Sequence, residues 1–403
     1  MLKPVSFEPG VPLSADFIPL CVPEIRGNEW KYIKECLDTN FVSSVGAYVD
    51  RFEHDIAARV GTRYAVATVN GTAALHVALL VAGVQPDDEV LVSTLTFIAP
   101  VNAIRYAGAY PVFVDAEPDY WQMDTHKAID FLECECRWAN GELRDQATGR
   151  RVKAIVPVDI LGHPVDMDPL IAVARKYNLA IIEDATESLG AKYKTGNVGQ
   201  LGDIACLSFN GNKLITTGGG GMIVTDDETM ARQAKYLTTQ AKDDPLEFVH
   251  GAIGYNYRLS NVLAAMGVAQ LERLDEYIGA KRRIAETYIE ALRDVPGITL
   301  MREADWAFSV FWMFTMLIDA TQFGMDSRAL LRYLDADKVQ TRPLWQPAHL
   351  SPAHHGMRAT DCAVAERLNR LALSLPCSVG LTASDQARVI ELIRGMKAKN
   401  QNA

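Results

Sequence analysis

The chain has 403 residues, of which 49% are hydrophobic and 22% are charged, and its formal net charge is −10. These proportions are typical of globular proteins and exclude wholesale disorder, while the length exceeds that of one ordinary domain. The sequence contains no basic stripe for nucleic acid, no apolar run of about 20 residues for a membrane span and no apolar signal-peptide core. We therefore expect a cytoplasmic protein that contacts neither nucleic acid nor membrane.

The seven cysteines are scattered along the chain without the spacing of a disulfide framework. Cys134 and Cys136 form a C-x-C pair, but no second cysteine or histidine pair lies near them in the sequence to complete a metal site. The pattern favours reduced thiols and no bound metal.

Short apolar segments alternate with helical patterns between about residues 55 and 260. The patterns predict helices over 72–83 and 166–178. Strands are predicted in the apolar segments 65–68, 89–93, 110–114, 154–159, 179–183, 204–209 and 222–225. Such an alternation is typical of an α/β fold with a mostly parallel sheet, helices on both of its faces and ligands at the carboxyl ends of its strands.

Longer segments indicate how the chain is divided. The polar, glycine-containing segment 136–152 is predicted to be a hairpin or loop that leaves the large domain. After residue 260 a long amphipathic helical stretch over 261–292 is followed by a strand-like segment over 311–318 and further helices. We therefore predict an N-terminal arm with a large domain over 1–265, and a linking helix with a small α+β domain over 266–403.

Two motifs with possible chemistry follow predicted strands. Asn70-Gly71-Thr72 opens a predicted helix, where free backbone N–H groups and the helix dipole favour a phosphate, although an ordinary helix N-cap gives the same pattern. Asp184 comes directly after the apolar segment 179–183. A carboxylate buried there needs a cationic partner such as a pyridinium nitrogen, although a helix cap after a strand gives this pattern too.

A third motif runs from Ser208 to Lys213, after the next predicted strand and just before the four glycines of 218–221. Glycines permit close approach of the backbone near a bound group, and a partly buried lysine suits Schiff-base chemistry. A surface lysine beside a flexible turn stays an alternative. The chain contains no G-x-S-x-G, H-E-x-x-H or P-loop motif that would indicate a different chemistry.

In their order and spacing, these motifs resemble the DegT/DnrJ/EryC1/StrS family of sugar aminotransferases from about residue 20 to residue 395. The stretches that carry the resemblance are NGTAALHVALL (70–80), STLTFIAPVNAI (93–104), GHPVDMDPL (162–170), EDATESLGA (183–191), GDIACLSFNGNKLITTGGGGM (202–222) and GYNYRLSN (254–261). The resemblance implies a fold-type I enzyme that uses pyridoxal 5'-phosphate and passes through the pyridoxamine 5'-phosphate form. It also implies a large domain with a mostly parallel sheet and a smaller α+β C-terminal domain.

The resemblance implies a role for each matching position. Lys213 would form the Schiff base and shuttle protons, Asp184 would pair with the pyridine nitrogen, and Phe97 would stack on the cofactor ring. Glu187 stands where many members have glutamine, which changes the local hydrogen bonding but not the reaction. Asn256 would reach the cofactor phosphate of the neighbouring subunit, in a homodimer whose active sites are shared across the interface. Phosphate contacts are implied for Gly71, Thr72 and Ser208.

The finer resemblance implies transamination from L-glutamate to the C4 keto group of a nucleotide-linked 4-keto-6-deoxy sugar for surface glycans. The preferred substrate is UDP-2-acetamido-2,6-dideoxy-hexos-4-ulose, of the N-acetylbacillosamine and legionaminic acid pathways. The alternative is GDP-4-keto-6-deoxymannose, the substrate of GDP-perosamine synthase. A core position is favoured for Trp345. The candidate substrate contacts are Ser43, Ser44, His163 and Arg342.

Three other classes of protein compete with this interpretation. A sugar dehydratase of the same family replaces the Schiff-base lysine, typically by histidine, whereas Lys213 is present. A non-catalytic, cofactor-binding regulator that contacts DNA needs a basic recognition helix, which the sequence lacks. The third class is an amino-acid aminotransferase or cysteine desulfurase of the same general fold. The desulfurase needs a reactive cysteine on a mobile loop, whereas Cys362 and Cys377 lie outside the expected site.

Overall fold

The computed structural model describes the backbone of residues 16–244 and 246–400 and the side chains of these residues up to 396. Its α-helices are α1 (Glu29–Asp38), α2 (Ala47–Val60), α3 (Gly71–Val81), α4 (Ala99–Tyr106), α5 (Thr125–Asp130), α6 (Met167–Lys176), α7 (Glu228–Thr238), α8 (Asn261–Leu271), α9 (Leu274–Leu292), α10 (Ala320–Phe323), α11 (Ser327–Ala336), α12 (Ala363–Leu371) and α13 (Ala383–Asn400). Its strands are β1 (Tyr64–Thr68), β2 (Glu89–Ser93), β3 (Tyr110–Val114), β4 (Cys136–Ala139), β5 (Glu142–Asp145), β6 (Arg151–Val156), β7 (Ala180–Asp184), β8 (Lys192–Tyr193), β9 (Gly196–Asn197), β10 (Ile204–Ser208), β11 (Gly221–Thr225), β12 (Lys242–Asp244), β13 (Val249–His250), β14 (Ile298–Leu300), β15 (Ala307–Phe308), β16 (Phe314–Ile318) and β17 (Ala372–Leu375). Shorter helical turns lie at Phe131–Glu135, Ile160–Gly162, Ala348–Leu350 and Pro352–His354.

The seven strands predicted before residue 260 lie in one nine-stranded sheet in the order β1-β11-β10-β7-β6-β2-β3, which also contains β5, paired to β6, and β4, paired to β5. Strands β10, β7, β6, β2 and β3 run parallel to one another, whereas β11 is antiparallel to both of its neighbours. The central parallel strands are buried almost throughout, because helices cover both faces of the sheet. The predicted α/β fold with a mostly parallel sheet is therefore confirmed.

Helix α3 packs against β10 and β11 in the centre of the molecule. Of its residues, only Thr72 and Leu80 are not buried. The side chain of Asn70 accepts a hydrogen bond from the Ala73 amide at 2.8 Å, which fixes the start of the helix at residue 71. Because a helix that is apolar all round belongs in the interior, its first turn is held rigidly beside the ends of the strands.

The predicted hairpin over 136–152 is present in the structure. Strands β4 and β5 pair antiparallel, from Cys136 with Asp145 to Ala139 with Glu142. Strand β5 then pairs with the beginning of β6, so the excursion extends the edge of the main sheet.

The helical stretch predicted over 261–292 is present but is divided into two helices, because α8 ends at Leu271 and α9 begins at Leu274. The carboxylate of Glu272, at the break, accepts hydrogen bonds of 2.7 Å from Asn28 and from Tyr32. Contacts with the start of α1 therefore hold a turn that the hydrophobic periodicity of the segment does not reveal.

The C-terminal region contains the antiparallel sheet β14-β16-β17, and the strand predicted over 311–318 is observed as β16. Strand β15 of this region pairs with β8 and so connects it to the large region. The main cluster of buried apolar residues runs through both regions, from Ile18 to Ile393. The predicted domain boundary at residue 265 stays a prediction. No helix formed by the described residues is long and apolar enough to cross a membrane.

Candidate active site

A cavity of about 370 Å³ lies where the parallel strands of the main sheet end. This volume is within the range that small-molecule sites occupy in proteins. Residues that follow the carboxyl ends of β1, β2, β6, β7 and β10 line it. All three sequence motifs meet there, which is the edge of the sheet at which a ligand was predicted.

One wall of the cavity is the start of α3. The first hydrogen bonds of the helix run from the amides of Ala73 and Ala74 to the side chain and the carbonyl of Asn70. The amides of Gly71 and Thr72 come before these bonds and have no partner within the helix. A Cβ atom on Gly71 would lie 3.0 Å from the Cβ atom of Ser208, so glycine lets the helix start approach the end of β10. These two amides and the two hydroxyl groups of Thr72 and Ser208 form a set of donors suited to a phosphate.

Asp184 is the last residue of β7, lines the cavity and is only 1% exposed. Its carboxylate accepts a hydrogen bond from the Thr186 amide at 3.1 Å. Burial raises the pKa of this carboxyl group, while the hydrogen bonds from Thr186 and the positive charge of Lys213 oppose the rise. A cation bound in the cavity would stabilise the ionised form further.

Lys213 lies on the loop between β10 and β11, and backbone hydrogen bonds close this loop. The Phe209 amide donates to the Gly220 carbonyl at 2.8 Å, and the Thr217 amide donates to the Phe209 carbonyl at 2.9 Å. A Cβ atom on Gly221 would lie 2.5 Å from the Asn70 carbonyl oxygen, so the end of the glycine run packs directly on the start of α3. The loop that carries Lys213 is thus fixed against the free amides at the start of α3.

Glu187 contacts the lysine directly. Its Oε1 atom lies 3.3 Å from Lys213 Nζ, and its Oε2 atom accepts a hydrogen bond from the Leu161 amide at 2.9 Å. Burial raises the pKa of the Glu187 carboxyl group, and the charge of Lys213 and the Leu161 amide act against this rise. Glu187 therefore places an ionisable group directly beside the lysine.

Aromatic side chains form much of the remaining wall. Phe97 is 55% exposed and lines the cavity. The ring of Trp312 lies 4.1 Å from Lys213 Nζ, and its Nε1 atom donates to the Asn212 carbonyl at 2.8 Å. Sequence reasoning missed Trp312, since no local motif marks it. Trp345, for which a core position was favoured, also lines the cavity.

His163 does not face the cavity. It is 1% exposed, its Nδ1 atom donates to the Pro164 carbonyl at 2.7 Å and its Nε2 atom accepts from the Ala304 amide at 3.0 Å. Its ring stacks on Tyr120 with centroids 5.5 Å apart. Burial lowers the pKa of His163 to about 4, so the ring is neutral near pH 7. The structure thus gives this side chain a packing position.

The other candidate substrate contacts also lie outside this cavity. Ser43 and Arg342 are exposed and Ser44 is half-buried. The Ser43 carbonyl accepts from the Asn261 amide, and the guanidinium of Arg342 donates to the Thr341 carbonyl at 2.9 Å. Asn256 is exposed and likewise does not line the cavity of its own chain. These candidate residues are therefore not gathered by the fold of one chain.

The donor set of the cavity suits pyridoxal 5'-phosphate. Lys213 supplies an amine able to bind an aldehyde, Asp184 supplies a buried carboxylate for a ring nitrogen, and the start of α3 supplies amides for a phosphate. These three groups come from three different segments and converge on one cavity of suitable volume. The residues present therefore fit the cofactor that the resemblance implied.

Comparison with known proteins gives a consistent result. A model of the DegT/DnrJ/EryC1/StrS aminotransferase family matches residues 23–394. The GDP-perosamine synthase of Caulobacter vibrioides is 38% identical over 374 residues, which are 93% of this chain and 96% of that protein. The GDP-perosamine synthase of Escherichia coli is 37% identical over 377 residues, or 94% of this chain and 98% of that protein.

Solved structures show the same fold. DesI, determined in the presence of its TDP-sugar product, is 28% identical to this chain and superposes with a TM-score of 0.85, covering 96% of this chain and 94% of that one. The chain therefore belongs to the DegT/DnrJ/EryC1/StrS aminotransferase family, and the protein is a sugar aminotransferase that depends on pyridoxal 5'-phosphate.

Proposed function

We propose that the protein transfers the amino group of L-glutamate to the C4 keto group of GDP-4-keto-6-deoxymannose, which is the reaction of a GDP-perosamine synthase. The observation that carries the proposal is the cavity in which Lys213, Asp184 and Glu187 converge with the start of α3. The choice of GDP rests on the two relatives at 37% and 38% identity, which are named for this reaction. They favour the GDP-linked substrate over the UDP-linked substrate that the sequence analysis preferred.

In this proposal, the residues at the strand ends hold the cofactor. The amides of Gly71 and Thr72, with the hydroxyl of Ser208, bind its phosphate. Asp184 pairs with the ring nitrogen, which gives the buried carboxylate the cation that it needs, and Phe97 supplies an aromatic face for the ring. When bound, the cofactor supplies the electron sink that stabilises a carbanion at the carbon that carries the amino group.

Lys213 is the proposed proton carrier of both half-reactions. Its Nζ atom accepts the α-proton of glutamate in the first half, which ends in 2-oxoglutarate, and it delivers a proton to the sugar C4 carbon in the second. Glu187 Oε1 at 3.3 Å and the Trp312 ring at 4.1 Å hold the Nζ atom inside the cavity. With 13% of the lysine side chain exposed, bulk water has little access to it.

We further propose a homodimer with shared active sites as the working unit. Asn256 is exposed and lies outside the cavity of its own chain, so only a neighbouring subunit can bring it to a cofactor phosphate. Large apolar side chains on the same protein are strongly exposed and suit an interface. They include Phe41 (58%), Val45 (69%), Leu246 (86%), Phe248 (65%) and Ile253 (85%). A sedimentation mass of a single chain would contradict this proposal.

An absorption spectrum of the purified holoenzyme, before and after addition of L-glutamate, tests the central proposal. We expect the visible band of the lysine-bound cofactor to give way to the near-ultraviolet band of pyridoxamine 5'-phosphate. GDP-4-keto-6-deoxymannose should then restore the visible band. Restoration only by UDP-2-acetamido-2,6-dideoxy-hexos-4-ulose would overturn the GDP assignment and leave the aminotransferase assignment intact. A protein that gains no visible band with added pyridoxal 5'-phosphate would contradict the assignment of the cavity.

A further inference from the structure

A cluster of two thiols and one buried ammonium group lies beside the catalytic loop. Lys281 of α9 is 2% exposed, and its Nζ atom lies 3.4 Å from Cys21 Sγ, 3.7 Å from Cys377 Sγ and 2.8 Å from the Trp312 carbonyl oxygen. The Cys377 amide donates to the Leu20 carbonyl at 2.8 Å, so the two segments that carry the thiols run side by side. The transamination proposed above uses none of these three side chains.

The buried ammonium group of Lys281 favours ionisation of a neighbouring thiol. Among the described residues, no carboxylate forms a salt bridge with Lys281, so its charge is left to the two sulfur atoms and one carbonyl oxygen. A buried charge without an opposite partner is unfavourable, and a thiolate is the anion that this cluster can supply.

The charges around Cys21 act in the same direction. A hydrogen bond from Cys377, with the charges of Lys281 and Lys213, lowers the pKa of the Cys21 thiol to about 6 against the opposing effect of burial. The hydrogen bond to Cys21 and complete burial raise the pKa of the Cys377 thiol. Of the two thiols, Cys21 is therefore the one that ionises more readily.

Accessibility also distinguishes the two cysteines. Cys21 is half-buried, whereas Cys377 is only 1% exposed, so Cys21 is the more accessible of the two. Cys134, on the hairpin of the large region, is exposed and is the natural reference thiol of this chain. The cluster thus combines one half-buried thiol, one fully buried thiol and one buried cation.

We propose that Cys21 and Cys377 form a dithiol site that a hydroperoxide oxidises to a disulfide, with Lys281 as the cation that stabilises the attacking thiolate. The Cys21 thiolate attacks the terminal oxygen of the hydroperoxide, the O–O bond breaks and Cys21 becomes a sulfenic acid, while the leaving oxygen takes a proton from solvent and departs as an alcohol or as water. The Cys377 sulfur then attacks the Cys21 sulfur, the S–O bond breaks, water leaves and the disulfide forms. Two thiols lose two electrons in total, and the hydroperoxide gains them.

The dithiol site is linked to the active site through Asn212. The carbonyl oxygen of Asn212 lies 3.5 Å from Cys21 Sγ and accepts a hydrogen bond from Trp312 Nε1 at 2.8 Å, and Lys213 is the next residue. A bond to Cys377 shifts the Cys21 sulfur against the backbone of the loop that carries Lys213, so we expect a loss of transaminase rate that dithiothreitol restores. This link rests on the proposed function, whereas the thiol chemistry does not.

The first test treats the full-length holoenzyme with one equivalent of hydrogen peroxide and maps its peptides by mass spectrometry without reduction. We expect a loss of two hydrogen atoms and a peptide pair joined through Cys21 and Cys377. Cys377→Ser should accumulate a Cys21 sulfenic acid that dimedone traps, and Cys21→Ser should leave Cys377 unmodified. The matched control, Cys134→Ser, should form the disulfide as the wild type does. Faster oxidation of Cys134 than of Cys21, or a Cys21–Lys281 cross-link that retains oxygen, would overturn the proposal.

A second measurement uses only the wild-type protein, so it stands even where a variant fails to fold. The rate of alkylation of Cys21 by iodoacetamide, followed against pH, should reach half of its plateau near pH 6, because the thiolate is present above its pKa of about 6. An alkylation profile of Cys21 that coincides with that of Cys134 would contradict the role of Lys281. If the oxidised protein carries out the glutamate half-reaction at an unchanged rate, the link to the active site is overturned, whichever cysteines the peptide mapping finds oxidised.

Discussion

The fold brings together the residues expected to hold the cofactor, whereas it leaves those expected to hold the sugar nucleotide apart. Seven of the eight cofactor candidates line one cavity, namely Gly71, Thr72, Phe97, Asp184, Glu187, Ser208 and Lys213, whereas Asn256 does not. The sugar candidates do not line it, namely Ser43, Ser44, His163 and Arg342. The first set follows the carboxyl ends of strands in one parallel sheet, which necessarily meet at one edge, whereas no shared element gathers the second set.

This difference shows which inferences a motif supports. A residue at the end of a buried strand is placed by the sheet, whatever the rest of the chain does. A residue in a loop or a distant segment is placed by contacts that its neighbours in sequence do not specify. The first set is therefore expected to respond to substitution with large losses of activity, and the second set with small ones.

The largest effect is expected at Lys213. Replacement by alanine removes the amine that carries the proton in both half-reactions, so turnover should fall on the order of 10³-fold or more. Stopped-flow absorption of the glutamate half-reaction measures this directly. The exposed Lys192 gives a control substitution, Lys192→Ala, that should leave the rate unchanged. Turnover of Lys213→Ala near the wild-type value would place the chemistry elsewhere.

Asp184→Asn should lower kcat by about 100-fold, because the ring nitrogen loses the charged partner that strengthens the electron sink. Without cofactor the substitution should not lower the melting temperature, since burial raises the pKa of this carboxyl group and its charge is a burden to the fold. Kinetics of the holoenzyme and thermal unfolding of the apoenzyme separate the two effects. A large drop in apoenzyme stability with normal kcat would give Asp184 a purely structural role.

Gly221→Ala tests how closely the glycine run packs on α3. The new Cβ atom would lie 2.5 Å from the Asn70 carbonyl oxygen, so unfolding free energy should fall by about 1–3 kcal/mol and cofactor affinity should weaken. Gly219→Ala is the matched control, because a Cβ atom there meets nothing within 4 Å. Denaturant unfolding and cofactor titration measure both quantities. Equal unfolding free energies and cofactor affinities of the two variants would contradict close packing of Gly221 on α3.

His163→Phe should affect stability and leave the KM for the sugar nucleotide unchanged. The ring can still stack on Tyr120, but the Ala304 amide loses its acceptor, at a cost of about 1–3 kcal/mol. A rise in KM without loss of stability would return His163 to the substrate site.

The loss of unfolding free energy caused by His163→Phe should also depend on pH. The folded-state pKa of His163 is about 4 against an ordinary value of 6.5, so the unfolded wild type binds more protons between these two values. The wild type therefore loses stability as pH falls through this window, while the variant has no such loss. The difference between their unfolding free energies should narrow from pH 7 to pH 4, as chemical denaturation at several pH values would show.

The sequence by itself determined the α/β fold, the positions of the main strands and the motifs that converge on the cavity. These are local properties, because strand length, apolar periodicity and a helix start at Asn70 depend on residues close together in the chain. The parallel order of β10, β7 and β6 then brings Ser208 and Asp184 to one edge without further information.

Only the tertiary structure decided the break between α8 and α9, the place of Trp312 beside Lys213, the burial of His163 and the meeting of Cys21 with Cys377. Each of these depends on partners far apart in the chain, as between Glu272 and Tyr32 or between Lys281 and Trp312. No local pattern encodes such a contact, because its free energy arises only when the packed elements bring both partners out of water together.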